Sequence, residues 1–253
     1  MGKMFDFGLV FRQIPSLLQY LPVTMELAVI SMLVGLILGL LLAIIKIKNV
    51  GFLNKIVNFY ISVVRGTPIL VQLYIAYFGI PMFLRYINTK LGTDYQVADI
   101  PGFLYAVAAL AINQSAFECE VIRAALQSVD RGQIEAANSL GMTYLQALRR
   151  IILPEAIQVA LPSLGNSFIT LIKSTSLAFT CAVVEMTAQG KIIAGRTYRY
   201  FEVYVSLAII YWVITILIEQ LIKFFEKKTA LPEQVAIYNP ERALAAQEVQ
   251  AHD

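Results

Sequence analysis

The feature that most constrains this chain is the run from Val23 to Ile45, which is apolar almost without interruption. About 20 such residues match the thickness of a bilayer's hydrocarbon core, so the run predicts a membrane-spanning helix. The rest of the composition agrees. Of 253 residues, 58% are hydrophobic and 15% are charged, whereas a soluble domain is nearer half apolar and a quarter charged. The reading is an all-α polytopic membrane protein with no room for a second large soluble domain. The net charge of +3 does not point to nucleic acid, because the basic residues are spread over loops and act as topology signals. Cys119 and Cys181 are too few for a disulfide framework and read as buried thiols. The single histidine, His252, lies in the tail, which argues against a metal or histidine-based catalytic site.

Residues 1–22 form an interfacial or outer leader, punctuated by Pro15 and Pro22 and carrying Phe5, Phe7, Phe11 and Tyr20. It does not read as a cleaved signal peptide. Within the first span, Gly35 and Gly39 make a small-xxx-small pair that allows close helix contact. Lys46, Lys48 and Lys55 then mark a cytoplasmic end. Arg65-Gly66-Thr67-Pro68 breaks the next apolar stretch, and Ile69 to Leu84 continues across. Residues 85–100 read as an external loop, and Pro101 opens the following helix. That helix carries Asn113, Gln114, Ser115, Glu118, Glu120 and Arg123. Such groups must face protein or a water-filled cavity; Glu120 and Arg123, three apart, suit an ion pair.

From Glu155 to Met186 the chain is too long for one crossing and is expected to break at Lys173-Ser174-Thr175-Ser176. Before that point Ser163, Asn166, Thr170 and Ser174 recur at helical spacing as one polar stripe, with Lys173 beside it. Leu177 to Met186, ending in Glu185, reads as a re-entrant or outer-leaflet helix. Residues 187–200 read as an outer loop, Phe201 to Phe225 as the last span, and 229–253 as a cytoplasmic tail. This predicts five transmembrane helices with the N-terminus outside and the C-terminus in the cytoplasm. Ten Lys/Arg fall on inner segments and seven on outer ones, a bias in the expected direction.

The polar segment 127–154 stands apart. Asp130 and Gln133 are spaced to cap a helix, Gly141 suits its left-handed close, and Thr143 and Gln146 repeat the capping spacing. Arg149 and Arg150 suit the end of a second short helix. Ala136 and Ala137 keep one face small, with Glu135 as its charge. By physics alone this is a cytoplasmic loop of two amphipathic helices. Glu135-Ala136-Ala137, Gly141 four residues on, and Ile152-Leu153-Pro154 closely resemble the signature of permease subunits of bacterial ABC importers. Arg-Gly-Thr-Pro at 65–68 and Lys-Ser-Thr-Ser-Leu at 173–177 resemble the polar amino-acid uptake branch. The run from Asn166 to Leu177 is similar to cystine-type members.

The resemblance covers about residues 15–228 and implies a type I importer transmembrane domain over 23–228. It makes 127–154 the coupling loop, with Glu135, Ala136, Ala137 and Gly141 contacting an ATPase subunit. The implied partners are an ATPase dimer, a second permease chain, an extracytoplasmic amino-acid-binding protein, a small amino acid and membrane lipid. ATP and magnesium would belong to the ATPase, since no G-x-x-x-x-G-K-[ST] loop occurs here; this chain is expected to be neither an enzyme nor a metal protein. Candidates for the substrate pathway are Arg65, Thr67, Asn113, Ser115, Glu118, Asn166, Thr170, Lys173, Ser174, Thr175, Ser176 and Glu185. For each neutral residue the alternative is interhelical bonding. For the charges it is an ion pair, such as Lys173 with a glutamate, or snorkelling for Arg65. An ion-gradient transporter or channel is a rival, without use for a capped cytoplasmic helix pair. An intramembrane enzyme would need a nucleophile with a base, and no such pair is visible.

Overall fold

A computed structural model describes residues 5–94 and 97–229. The expected tail, including His252, lies outside the described residues. No strand occurs among the described residues.

Helix α1 (Phe7–Leu18) starts at Asp6, whose carboxylate accepts from the Gly8 N–H at 2.9 Å. It is amphipathic and packs Val10, Gln13 and Leu17 inward. Helix α2 (Leu21–Lys48) is the long apolar run and ends at Asn49 in the left-handed region. Helix α3 (Gly51–Gly66) stops at Thr67-Pro68, where proline forces its neighbour into extended backbone. Helices α4 (Ile69–Tyr74) and α5 (Ile80–Leu91) are joined by a widened π turn, Ile75–Gly79, and read as one stretch up to Leu91. The external loop expected from residue 85 therefore begins later, at Gly92.

Helix α6 (Gly102–Gln127) follows Pro101 and is the centre of the bundle, burying residues on most of its faces against α2, α3, α4 and α9. Its seam with α2 depends on two glycines. A methyl at Gly35 would stand 2.9 Å from Gln114 Cβ, and one at Gly39 only 2.8 Å from Glu118 Cβ. The small-xxx-small pair thus lets α6 side chains lie on the bare α2 backbone. Both cysteines are buried and free.

Helices α7 (Arg131–Ser139) and α8 (Tyr144–Ala147) form the polar segment. Asp130 caps α7 through the Gly132 N–H at 2.6 Å, but Gln133 does not reach back as its spacing predicts. Gly141 takes φ +73° and Met142 N–H bonds the Ala137 carbonyl, closing α7 in the expected way. The Thr143–Gln146 capping box forms in full. Helix α8 does not end at Arg149 and Arg150. A π turn, Leu148–Ile152, carries it straight into α9 (Leu153–Ser174). Pro154 lacks an N–H and would clash with a regular preceding turn; widening that turn removes the conflict.

The expected break at 173–176 is displaced. There α9 only tightens into a 3-10 stretch, Thr175–Cys181, and the chain turns at Ala182 (φ +60°) by 57°. Two regions expected otherwise change role. Glu185 starts a helix instead of ending one, and residues 187–200 are mostly α10 (Met186–Thr197), not loop. At this turn the α6 N-terminus touches backbone, and a methyl on Gly102 would overlap the Cys181 carbonyl oxygen. Helix α11 (Tyr200–Thr229) packs on α1, α9 and α10.

Among the described residues, three helical stretches are long and apolar enough to cross a membrane: Leu21–Ile47, Ile69–Leu91 and Tyr200–Thr229. The bent pair of Tyr144–Cys181 with Met186–Thr197 is a fourth if taken as one crossing.

Candidate functional site

Two features stand out, one at the start of the continuous helix Tyr144–Cys181 and one along it. The first is the tip made by α7 and α8. Glu135 and Ala136 are exposed, whereas Ala137 is buried. The alanines therefore do not share one small face: Ala137 anchors α7 inward and Ala136 looks out beside Glu135. The outer surface is apolar in a way the motif did not announce. Leu140, Tyr144 and Leu145 are exposed by 78%, 74% and 71%. Three large apolar side chains on a polar tip form a surface without a cover in this chain. Their i, i+4, i+5 spacing within a hydrophilic segment was the readable signal.

The second feature is a cavity of ≈ 590 Å³ between α4, α6 and α9. The α9 stripe lines it through Ser163, Asn166, Thr170 and Ser174, Thr67 and Asn113 face it from the other side, Gln114 and Ser167 add further polar groups, and Phe117 is among its apolar lining. Thr170 and Ser174 donate their hydroxyls to the carbonyls of Asn166 and Thr170, both at 2.9 Å, so each turns oxygen lone pairs to the cavity. Asn113 donates to Gln72 Oε1 at 3.1 Å. Gln72 in turn donates to the Val64 and Thr67 carbonyls at 2.8 and 3.1 Å. The helix break at Arg-Gly-Thr-Pro is thus held by one amide, which a sequence reading has no means of singling out.

The remaining candidates lie elsewhere. Ser115 bonds Tyr60 Oη at 2.7 Å and the Ile112 carbonyl at 2.8 Å, joining α6 to α3. Glu118 is fully buried and accepts from Gln114 Nε2 at 2.5 Å. Arg65 is exposed and sits 5.2 Å from the Phe117 ring centroid, a cation–π contact at the cavity's edge. Thr175 is buried with its hydroxyl on the Ile172 carbonyl. Glu185 caps α10, accepting from Thr187 N at 2.9 Å and Ala188 N at 2.7 Å. Lys173 does not pair with it; Lys173 and Ser176 face a separate cavity of ≈ 440 Å³ beside Tyr211, Trp212 and Thr215. Glu120 does make its expected pair with Arg123 (2.8 Å) and adds Lys46 of α2 at 2.5 Å. No cluster of metal-ligating side chains occurs among the described residues.

An apolar helical bundle with a polar cavity between its helices and an uncovered tip at one end defines a membrane transport subunit. The model of the binding-protein-dependent transport system inner membrane component family matches residues 35–231. The chain belongs to that family. It is therefore a multi-pass protein of the bacterial cell membrane, a permease subunit and not itself an enzyme. It is 42% identical over 227 residues to the probable amino-acid permease protein YxeN of Bacillus subtilis, covering 90% of this chain and 97% of the relative. It is 41% identical to the L-cystine transport system permease protein TcyL of the same organism, covering 90% and 93%. Among solved structures, an amino acid ABC transporter crystallised with histidines has a chain 38% identical, with a TM-score of 0.74 over 89% of this chain and 99% of that one.

Proposed function

We propose that the chain forms part of the membrane path of an ATP-driven importer of polar amino acids, with L-cystine as the substrate. It is driven through its α7–α8 tip. The observation that carries the reading is the uncovered Leu140, Tyr144 and Leu145 surface beside Glu135, of which Tyr144 and Leu145 begin the same continuous helix, Tyr144–Cys181, that carries the stripe lining the cavity. ATP and magnesium act on a partner ATPase dimer. A partner that grips the tip moves the cavity wall with it, and rocking of bundles about a central site gives alternating access. The amino-acid transport names of the relatives support the substrate class, and the cystine permease among them supports the narrower choice.

Five crossings, with the N-terminus outside and the C-terminus in the cytoplasm, fit this scheme. They are α2, α3 through α5, α6, α9 with α10, and α11. Helix α6 falls outside the apolar set because of its polar residues, yet its 26 residues span about 39 Å, ample for a bilayer core. The cavity opens on one side of the chain, so a second permease, the same or different, closes the path. A binding protein delivers the substrate at the end opposite the tip. Asn113, Asn166, Thr170, Ser174 and Thr67 supply donors and acceptors for a zwitterion.

The test is uptake in proteoliposomes holding the complete importer. Labelled cystine should accumulate only with ATP inside the ATPase-facing compartment. Glu135→Lys should abolish uptake while leaving membrane insertion intact. Uptake driven by an ion gradient without ATP, or normal uptake by Glu135→Lys, contradicts the reading.

A further inference from the structure

An ionisable side chain inside a membrane bundle is costly, and its presence marks function by default. Glu118 of α6 is such a group. It is fully buried and in no ion pair among the described residues, because the nearby cations Lys46 and Arg123 are both held by Glu120. Its Oε1 accepts from Gln114 Nε2 at 2.5 Å, while Oε2 is sealed without a partner. A carboxyl group with no access to the cavity cannot touch a ligand. Whatever Glu118 contributes, it contributes through Gln114.

Gln114 stands between that carboxyl and the cavity. The two residues share one face of α6, each with its Cβ against bare α2 backbone, at Gly35 and Gly39. Gln114 also lines the ≈ 590 Å³ cavity. An amide has one donating end and one accepting end. Glu118 Oε1 accepts, with or without a proton on Oε2, so the donating end of Gln114 is spent on it. The accepting end, Gln114 Oε1, takes no hydrogen bond and is not sealed as Glu118 Oε2 is, so it opens on the cavity. The α9 wall has the same polarity. Thr170 and Ser174 have given their hydroxyl protons to helix carbonyls and offer lone pairs. Three acceptors around one cavity suit an ammonium group, which carries three donors and no acceptor. We propose that Glu118 is a positioning residue, fixing the Gln114 amide so that its Oε1 accepts from the ammonium group of the transported amino acid, alongside the Thr170 and Ser174 hydroxyl oxygens. This rests on the reading that the cavity carries an amino acid, and adds which end of the zwitterion α6 holds.

The test is calorimetric titration of the complete importer in nanodiscs, without nucleotide and without the binding protein. Three ligands are compared: L-cystine, cystamine, which keeps the ammonium groups and lacks the carboxylates, and 3,3′-dithiodipropionate, which is the reverse. Gln114→Met should weaken L-cystine and cystamine by roughly tenfold or more and leave dithiodipropionate unchanged. Glu118→Met should give the same pattern, although Glu118 itself touches no ligand, and Glu118→Gln, which still offers an acceptor, should restore wild-type binding. Replacing a buried acid that has no cation by an apolar side chain of similar length does not threaten folding. Equal losses for all three ligands would mean a purely structural role and overturn the proposal. A loss confined to dithiodipropionate would mean that the amide is turned the other way, with its NH2 group in the cavity. Unchanged binding by Glu118→Met beside a loss in Gln114→Met removes the positioning role. Wild type that binds cystamine but not L-cystine counts against cystine as the substrate, while the amide assignment is still read on cystamine; binding of neither overturns both.

Discussion

Gly39→Ala tests the contact on which the bundle's centre rests. The added methyl would meet Glu118 Cβ at 2.8 Å, and the Cys119 nitrogen and Ser115 carbonyl oxygen both at 3.1 Å. Ordinary carbon–carbon contact is about 3.5–4.0 Å, so α2 must withdraw by roughly 1 Å. None of the three atoms is the far end of a flexible chain, so no rotamer change relieves the clash. Withdrawal also opens the contact at Gly35, one turn away, where Gln114 lies just as close. Overpacking of this kind costs about 1–3 kcal/mol, and the better helix propensity of alanine returns about 0.5–1 kcal/mol. The expected net loss is ~1–2 kcal/mol. The assay is reversible unfolding in mixed micelles titrated with SDS, followed by far-UV circular dichroism. The control is Gly195→Ala, which puts a methyl where nothing stands within 4 Å and should be neutral or slightly stabilising. If the two variants unfold at the same SDS fraction, close approach at Gly39 is not what holds α2 to α6.

Gln72→Leu should strip the Val64 and Thr67 carbonyls and the Asn113 amide of their partner, lowering stability by about 1–3 kcal/mol and deforming the cavity. A thermal unfolding scan of the purified complex, with uptake measured on the same protein, reads both effects. Glu185→Ala should free the Thr187 and Ala188 N–H groups and cost about 1–2 kcal/mol, read in the same scan, while Glu185→Asp should recover part of the loss. Recovery of full stability by the alanine variant would assign Glu185 a role other than capping.

Much of the architecture was legible because it rests on short-range rules. The Thr143–Gln146 box, the left-handed Gly141 and the 163–174 stripe depend on spacing alone, and each forms as its spacing demands. The Gly35–Gly39 pair was equally readable, since small residues four apart on an apolar helix have few other uses. What failed depends on turn geometry. Nothing local separates a 3-10 continuation of α9 from a break at Lys173–Ser176, so the bend moved to Ala182. Glu185 looked like the end of a segment because its partners, the Thr187 and Ala188 N–H groups, come after it. The pathway candidates were gathered by polarity within apolar surroundings. Polarity does not report which side of α6 or α9 a residue occupies, so Ser115, Thr175 and Glu118 were grouped with residues that line the cavity.

The widened turn at Leu148–Ile152 has a mechanical meaning. By absorbing Pro154 it removes one of two places where the stretch from Tyr144 to Cys181 would flex; the other, Pro162, lies inside α9. What remains is one continuous helix, with the small residues Ala156 and Ala160 buried beside Ala125 near its middle. From Tyr144 to Ser174 its length is about 45 Å, so a 10° tilt about the middle swings each end by ~4 Å. Under the proposed coupling, a push of that size at Tyr144 would arrive at Thr170 and Ser174 reversed in direction and reduced by the bending that Pro162 allows.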